Sequence, residues 1–385
     1  MTTPIPAIME IYLCDPLGVR ISCLDYATEI EYVKTCNDRT PFRIKLPSLF
    51  DRNLIRLDGI LEIWRGFEPG TLSLDYCGFV RTWRFSDDSG SEYTELSGYS
   101  LLDLLRRRVV AYAAASAQAA MFNQADDMIK AIVKDNLGAD AIAARDIDTY
   151  NGFSIQADLA DGQEITKAFS YKNVLEICQE IAAASTQYGT QVFFDIVPVI
   201  TNTTTGGLTF RLETYSEQRG ADRTADSDSP VYVGTAWHNL ENGYLEYDFS
   251  DEINYAYVLG QGEEAARETY EVSDTTRIGE SIYNRCEGAV DARNVEAGDT
   301  GGLIGEGSTY LDENKPTLKF GGDIVETPDF RYGLHWFQGD RVTAEYGGIQ
   351  IDAMIKTVAI SKNSNGQEKI SAWLEVEGNV PHLEK

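Results

Sequence analysis

Basic side chains are scarce in this sequence. Lys and Arg number 33 against 61 Asp and Glu, a formal net charge of −28. Such a surface repels nucleic-acid backbones and anionic membranes, which argues against a protein that grips DNA. It is compatible with a passage through which DNA slides without sticking, with simple solubility, or with a salt-rich habitat. Histidine is rarer still. His238, His335 and His382 are the only three, far apart and in no HxxxH pattern, so no local zinc or triad motif is present. The six cysteines, Cys14, Cys23, Cys36, Cys77, Cys178 and Cys286, form no CxxC pair. The chain is too long for a disulfide scaffold, and buried free thiols in a reducing cytoplasm are expected. The longest apolar run, Val109–Phe122, is broken by Ser116 and Gln118 and is too short to span a bilayer. Met1–Pro6 has neither a basic n-region nor an apolar h-region, so a protein made inside a cell and not exported by the general pathway is expected.

What is present is an ordinary globular balance, 43% hydrophobic and 24% charged, with 11% aromatic residues that argue against disorder. The length suits roughly two to four domains. Residues 1–98 read as short strands: Ile8–Cys14, Val19–Tyr26, Glu29–Lys34, Phe42–Leu46, Ile60–Trp64, Gly78–Phe85 and Tyr93–Ser97. Asp15-Pro16-Leu17-Gly18 suits a type I turn, and residues 86–90 a hairpin loop. This spacing suggests a barrel or sandwich. Leu101, Leu105, Val109 and Tyr112 then recur at helical period, predicting a helix from about Leu101 to Phe122. Further helices are expected at Asp126–Leu137, stopped by Gly138, and Tyr171–Tyr188, stopped by Gly189. Strands Gln191–Ile200 and Leu208–Tyr215 follow, joined by a polar loop at Thr201–Gly207. Arg219–Ser229 reads as a charged surface loop. β-character returns at Gly243–Leu259, and Gly298–Gly307 reads as a loop. The C-terminal stretch alternates cleanly: Val342, Ala344 and Tyr346 face one way, as do Ile370, Ala372, Leu374 and Val376 beyond the Asn365-Gly366 hairpin turn.

The expected class is therefore α+β and β-dominated, two β-barrel domains with two inserted α+β domains. The boundaries are 1–98 for the first barrel, 99–235 for a helix-containing insert, 236–262 plus 330–380 for the second barrel, 263–329 for a Gly-rich insert and 381–385 for a tail.

No motif carries chemistry. Gly260-Gln261-Gly262-Glu263-Glu264-Ala265 imitates a dinucleotide fingerprint between a strand, Asn254–Leu259, and a helix at Glu263–Tyr270. Two glutamates stand where pyrophosphate needs bare N–H groups, and no βαβ series surrounds it. A glycine turn is the simpler reading. The acid pairs Asp126-Asp127, Asp251-Glu252 and Glu263-Glu264 read as helix starts or solvated turns, not as a glycosidase pair. Residues 146–152 miss the spacing of a calcium loop. The tryptophans Trp64, Trp83, Trp237, Trp336 and Trp373 lie mostly in strand patterns that favour burial over sugar stacking, and His335 is expected to pack at a barrel edge. Catalytic residues, cofactor and metal are expected to be none. Arg106-Arg107-Arg108, the one basic cluster, is expected to partner acids on neighbouring domains or chains.

Several segments, in order, resemble the tail-hub proteins of long-tailed phages, relatives of the contractile-tail baseplate hub. They are Glu10–Gly18, Pro41–Pro47, Gly59–Arg65 and Gly78–Arg81, then Gly98–Arg108 with its paired leucines and arginines. Asn173–Leu175, Ile181-Ala182, Arg219–Thr224, Tyr257–Gly262 and Gly339–Thr343 continue the likeness, while 263–329 departs most. The resemblance implies two barrels with two inserts and a homotrimeric ring. Six similar barrels would dock a threefold tip under a sixfold tail tube and enclose the genome-exit channel. It implies a virion location at the tail tip, assembly in host cytoplasm, and a structural role rather than an enzymatic one. The implied partners are tube and distal tail proteins, fibre or spike proteins and passing DNA held without specific binding, and no membrane anchor is expected. A wall-degrading hydrolase and a receptor- or carbohydrate-binding module are the alternative readings.

Overall fold

The structure is a computed structural model that describes residues 7–67, 72–88, 90–111, 119–148, 152–169, 171–187, 189–202, 207–293 and 295–376. The chain divides into two units, Met1–Tyr244 with Gly321–Glu375, and Leu245–Phe320 with Val376–Lys385.

The first strands follow the alternation of their apolar residues. They are β1 (Ile8–Cys14), β2 (Arg20–Cys23), β3 (Glu29–Thr35), β4 (Pro41–Pro47), β5 (Ile60–Gly66), β6 (Ser73–Asp88) and β7 (Ser91–Ser100). In β4, for example, Phe42, Ile44 and Leu46 are buried while Arg43 and Lys45 reach outward to Glu29, Glu31 and Glu95. A one-turn helix, α1 (Asp103–Arg106), follows. Then come β8 (Ala119–Gln124), α2 (Ala125–Leu137), β9 (Ser154–Ile155), β10 (Glu164–Phe169), α3 (Val174–Gln187), β11 (Val192–Asn202) and β12 (Gly207–Ser216). The chain continues through β13 (Asp222–Arg223), β14 (Tyr232–Gly234) and β15 (Leu240–Asp248). The smaller unit holds β16 (Tyr255–Leu259), β17 (Thr269–Ser273), α4 (Thr275–Ile278), β18 (Glu287–Asp291) and α5 (Thr300–Glu313). Finally come β19 (Thr317–Ile324), β20 (Arg341–Tyr346), β21 (Ile349–Lys362) and β22 (Glu368–Val376).

Fourteen strands form one hydrogen-bonded sheet in the order β2-β1-β5-β6-β7-β4-β3-β21-β22-β19-β15, with β20 on β21 and β13 and β14 on β20. The antiparallel β3–β21 ladder, from Thr35↔Thr357 to Ile30↔Lys362, joins the amino-terminal strands to the carboxy-terminal ones. The sheet is complete only when the last strands arrive, and the elements from α1 to β12 and from β16 to β18 stand outside it. No sheet closes on itself among the described residues; β2 and β15 stand at the two ends.

The inserted helices are built as their sequences require. Asp126 and Asp127 sit in the first turn of α2, where carboxylates oppose the helix dipole, and Gly138 caps its end with N–H bonds to Val133 and Lys134. Asn173 caps α3 by accepting the N–H of Leu175 at 3.1 Å. Met128, Ile129, Ile132 and Val133 of α2 meet Val174, Ile177, Cys178 and Ile181 of α3 in a core shared with Phe194 and Leu212.

Several sequence expectations are corrected. Among the described residues, the helix expected over Leu101–Phe122 is a single turn. Leu101, Leu102 and Leu105 are buried at helical spacing, but Val109 pairs with Asn173 and residues 119–124 pair with β10. Tertiary pairing overrides the helical period at Val109 and at residues 119–122; residues 112–118 lie outside the described ones. Residues 300–307, expected as loop, begin α5. Asp299 caps it by accepting the N–H of Gly302 at 2.9 Å, and Gly307 lets it approach Val258 and Val272, where a Cβ would meet atoms at 2.5–2.7 Å. β16, expected beside the C-terminal strands, pairs instead with β17 and β18 in a three-stranded sheet of the smaller unit. In β20 both faces are buried, because Thr343 and Glu345 lie inside as well as Val342 and Ala344. The Thr201–Gly207 loop lies largely outside the described residues.

Candidate functional site

The arginine cluster sits at the end of α1, where Arg106 is the last helical residue and Arg107 the C-cap. Arg107 donates to Asp103 Oδ2 at 2.7 Å and to Asp58 Oδ1 at 2.8 Å, its guanidinium 5.0 Å from the Phe79 ring centroid. Asp103 is buried and also holds Arg39 at 2.9 Å, so Arg107 is committed within the chain. Arg106 is half exposed and lies 3.9 Å from Glu176. The carbonyls of Arg106 and Arg108 accept the Asn173 side chain at 2.6 and 3.0 Å, which staples this turn to the start of α3. Asp58, Asp103 and Asn173 are the partners that sequence reading did not supply. Only the Asn173-Val-Leu175 segment was a signal.

A polar constellation of the larger unit was not legible in the sequence. On β5, the Arg65 side chain is 2% exposed. It donates through Nε and Nη2 to the two oxygens of Glu368, each at 3.0 Å, and through Nη2 to Glu326 at 3.5 Å. Nη1 donates to the Tyr332 carbonyl. Burial pushes the Glu326 carboxyl above its ordinary value, although Arg65 opposes this. Nearby, Asp75 accepts Lys34 Nζ at 2.7 Å, Tyr32 at 2.6 Å and Tyr332 at 2.7 Å. Burial alone would raise the Asp75 carboxyl, but Lys34 and the two phenols hold it below the ordinary range. These bonds tie β1–β7 to residues 326–368.

A cavity of about 420 Å³ lies against this network, lined by Lys34, Asp38, Asp75, Asp195 and Arg219 among others. Burial raises the Asp195 carboxyl against the pull of Arg219 at 3.2 Å. Two carboxylates shifted in opposite directions are the general pattern of an acid–base pair. Here each is tied to its own cation, which is the arrangement of a structural ion pair.

The three carboxylates Asp126, Asp127 and Asp158 lie close enough to hold a cation. Asp126 already has its counter-ion in Lys130 at 2.8 Å and accepts the N–H of Asp161 at 2.9 Å. Burial, together with the neighbouring Asp158 and Asp126, pushes the Asp127 carboxyl up to about 6. The Gly260–Ala265 segment is the turn between antiparallel β16 and β17, with Gly262 at φ +97° and a short 3₁₀ turn at 264–266. The helix at 263–270 that a dinucleotide would need is absent: residues 264–266 form the 3₁₀ turn and β17 begins at Thr269. His335 accepts the N–H of Arg331 at 3.0 Å, and His238 ends a 3₁₀ turn in the left-handed region. His382 lies outside the described residues, as do residues 149–151 of the calcium-loop-like segment. Trp336 is fully buried, whereas Trp83 and Trp373 are exposed. All six cysteines are free; Cys14, Cys36, Cys77 and Cys178 are buried. No helix among the described residues is long and apolar enough to cross a membrane.

No curated protein matches the sequence. Among solved structures, the chain is similar to the tail protein from Neisseria meningitidis MC58, with TM-score 0.59, 14% identity and 97% of each chain covered. It is similar to the 43 kDa tail protein of prophage MuSo2 from Shewanella oneidensis, with TM-score 0.60, 12% identity and 95% of this chain and 98% of that one covered. It is also similar to a chain of the lidded Francisella PdpA-VgrG complex, with TM-score 0.52, 9% identity and 98% of this chain against 54% of that one. The fold is therefore that of phage tail proteins. Residues 75–374 match the model of the Siphovirus ReqiPepy6 Gp37-like protein family, and the chain belongs to that family.

Proposed function

We propose that this protein is a structural part of the tail of a long-tailed virus, a homotrimeric hub at the tail tip. In this role it joins the sixfold tube to threefold tip, fibre or spike components and encloses the genome-exit channel. The observation that carries the reading is a fold shared end to end with a bacterial tail protein, 97% of both chains, within a siphovirus family. The long sheet coils into two barrels in this reading. Its register breaks at Leu13/Cys14, Ile63/Trp64 and Val80/Thr82 are the bulges that bend and twist strands. Three chains with two barrels each present six similar faces to a sixfold tube, and closed cyclic symmetry ends the assembly. Arg106 and Arg108 are the side chains offered to neighbouring chains, since Arg107 is held by Asp103 and Asp58. The protein works by holding partners rather than by catalysis. Light scattering tests the assembly: a mass of three times 42.8 kDa supports the hub, and a stable monomer at every concentration refutes it. A cell-wall zymogram tests the structural role, with clearing as the contrary result.

A further inference from the structure

Arg145 stands beside Arg108 with no carboxylate to separate them. Arg145 donates through Nη2 to the Val109 carbonyl at 2.6 Å, which holds its guanidinium at the residue that follows Arg108. The backbone at that point is fixed, because the Arg108 carbonyl accepts the Asn173 side chain and the Val174 N–H, each at 3.0 Å. Burial, and after it the neighbouring Arg108 charge, holds the Arg145 guanidinium below its ordinary value. Asp146, next in the chain, accepts the Asp148 N–H at 2.8 Å. Neither arginine makes an ion pair among the described residues. The stretches 112–118, 149–151 and 170, which adjoin this region in sequence and lie outside the described residues, contain no Asp or Glu.

The surroundings add to the imbalance. Arg106 lies 3.9 Å from Glu176, and Lys167 and Lys172 share Glu180 at 2.8 and 3.0 Å. Lys172 belongs to the same surface, since its carbonyl accepts the Val110 N–H at 2.9 Å. Elsewhere in the larger unit arginines are matched with acids, as Arg20 is with Glu62, Arg43 with Glu31 and Glu95, and Arg223 with Asp340. A guanidinium cannot shed its proton to relieve the repulsion, so only an anion can. Exposed Val109 and Ile142 flank the pair, an aliphatic setting in which arginine anchors protein contacts.

We propose that Arg108 and Arg145 form an open carboxylate-binding site that receives an acidic surface of a second copy of this chain. The identity of the partner rests on the trimeric reading above; Arg145 and the missing counter-ion are what this site adds to it. Charge decides the occupant. Copies that each carry a net charge of −28 repel one another, so their contact needs cations not already used within the chain. Each copy also offers the matching acids: Asp226 and Asp228, for example, are exposed and have no cation partner among the described residues. Guanidinium and carboxylate then meet through paired hydrogen bonds. Such a contact joins unlike patches of successive copies, the kind of interface that closes into a ring. The same surplus of acid disfavours a nucleic-acid phosphate as the anion.

Sedimentation of the full-length protein over a range of concentrations tests the site. Arg108→Gln with Arg145→Gln is expected to raise the concentration at which trimers form by about tenfold or more. Arg145→Gln also loses the bond to the Val109 carbonyl; should it fold poorly, Arg108→Gln alone is expected to raise that concentration by about threefold or more. Arg293→Gln, the same change of charge on an exposed side chain of the smaller unit, is expected to leave it unchanged. Below the association range, Arg108→Gln is expected to keep or raise the thermal midpoint, because it removes a like-charged neighbour. A lowered midpoint would mark a counter-ion within the chain and overturn the proposal. Trimers indifferent to the Arg108 and Arg145 variants, or equally weakened by Arg293→Gln, would overturn it alone, whereas an unaltered chain that stays monomeric would overturn it together with the hub reading. Binding of a fluorescent DNA duplex that is lost in Arg108→Gln would assign the site to phosphate and overturn it as well.

Discussion

Replacing Arg65 by Met should destabilise the larger unit by about 3 kcal/mol. The guanidinium is 2% exposed and holds Glu326 and Glu368, whose side chains are 18% and 16% exposed. Removing one partner of a buried pair typically costs about 3–5 kcal/mol, because the remaining charge stays desolvated. The partial exposure of both glutamates lets water reach them and places the loss at the low end of that range. A loss of about 3 kcal/mol is roughly a hundredfold change in the unfolding equilibrium. Urea unfolding followed by tryptophan fluorescence reads it at neutral pH. Arg65→Met combined with Glu368→Gln should recover about 1 kcal/mol or more, since one stranded charge is then removed. Arg65→Lys should fall between, because an ammonium cannot make the two-pronged bond to Glu368. A loss under about 1 kcal/mol, or no coupling in the double variant, would refute the view that this network joins the two ends of the chain.

Two further outcomes follow from single positions. Gly98→Ala should cost about 1–3 kcal/mol or prevent folding, because a Cβ there would lie 1.8 Å from the Phe79 carbonyl oxygen; an unchanged thermal midpoint would contradict the strand spacing. Asp127 has a folded value near 6, above the ordinary carboxylate value, so its contribution is present at low pH and lost as pH rises through about 6. Asp127→Asn should therefore raise the thermal midpoint at pH 8 and leave it nearly unchanged at pH 4; equal effects at both would contradict the assignment.

Local pattern was readable in the sequence wherever one face of an element is buried and the other is wet. The alternation of Phe42, Ile44 and Leu46 marked β4, and the i, i+3, i+4 spacing of Val174, Ile177 and Cys178 marked α3. Pattern failed where contacts from afar decide. Val109 satisfies a helical period but is drawn to Asn173, and α5 forms despite its glycines because Gly307 permits close packing on Val272. The polar network was illegible for the same reason. Arg65 and Glu368 stand far apart in the chain, and the β3–β21 ladder joins the strand sets that carry them.

The most direct measurement is an image of the intact virion with this protein labelled. The account predicts three copies around the tail axis, directly below the last sixfold ring of the tube. Label along the tube shaft, on the capsid, or absent from the particle would contradict it.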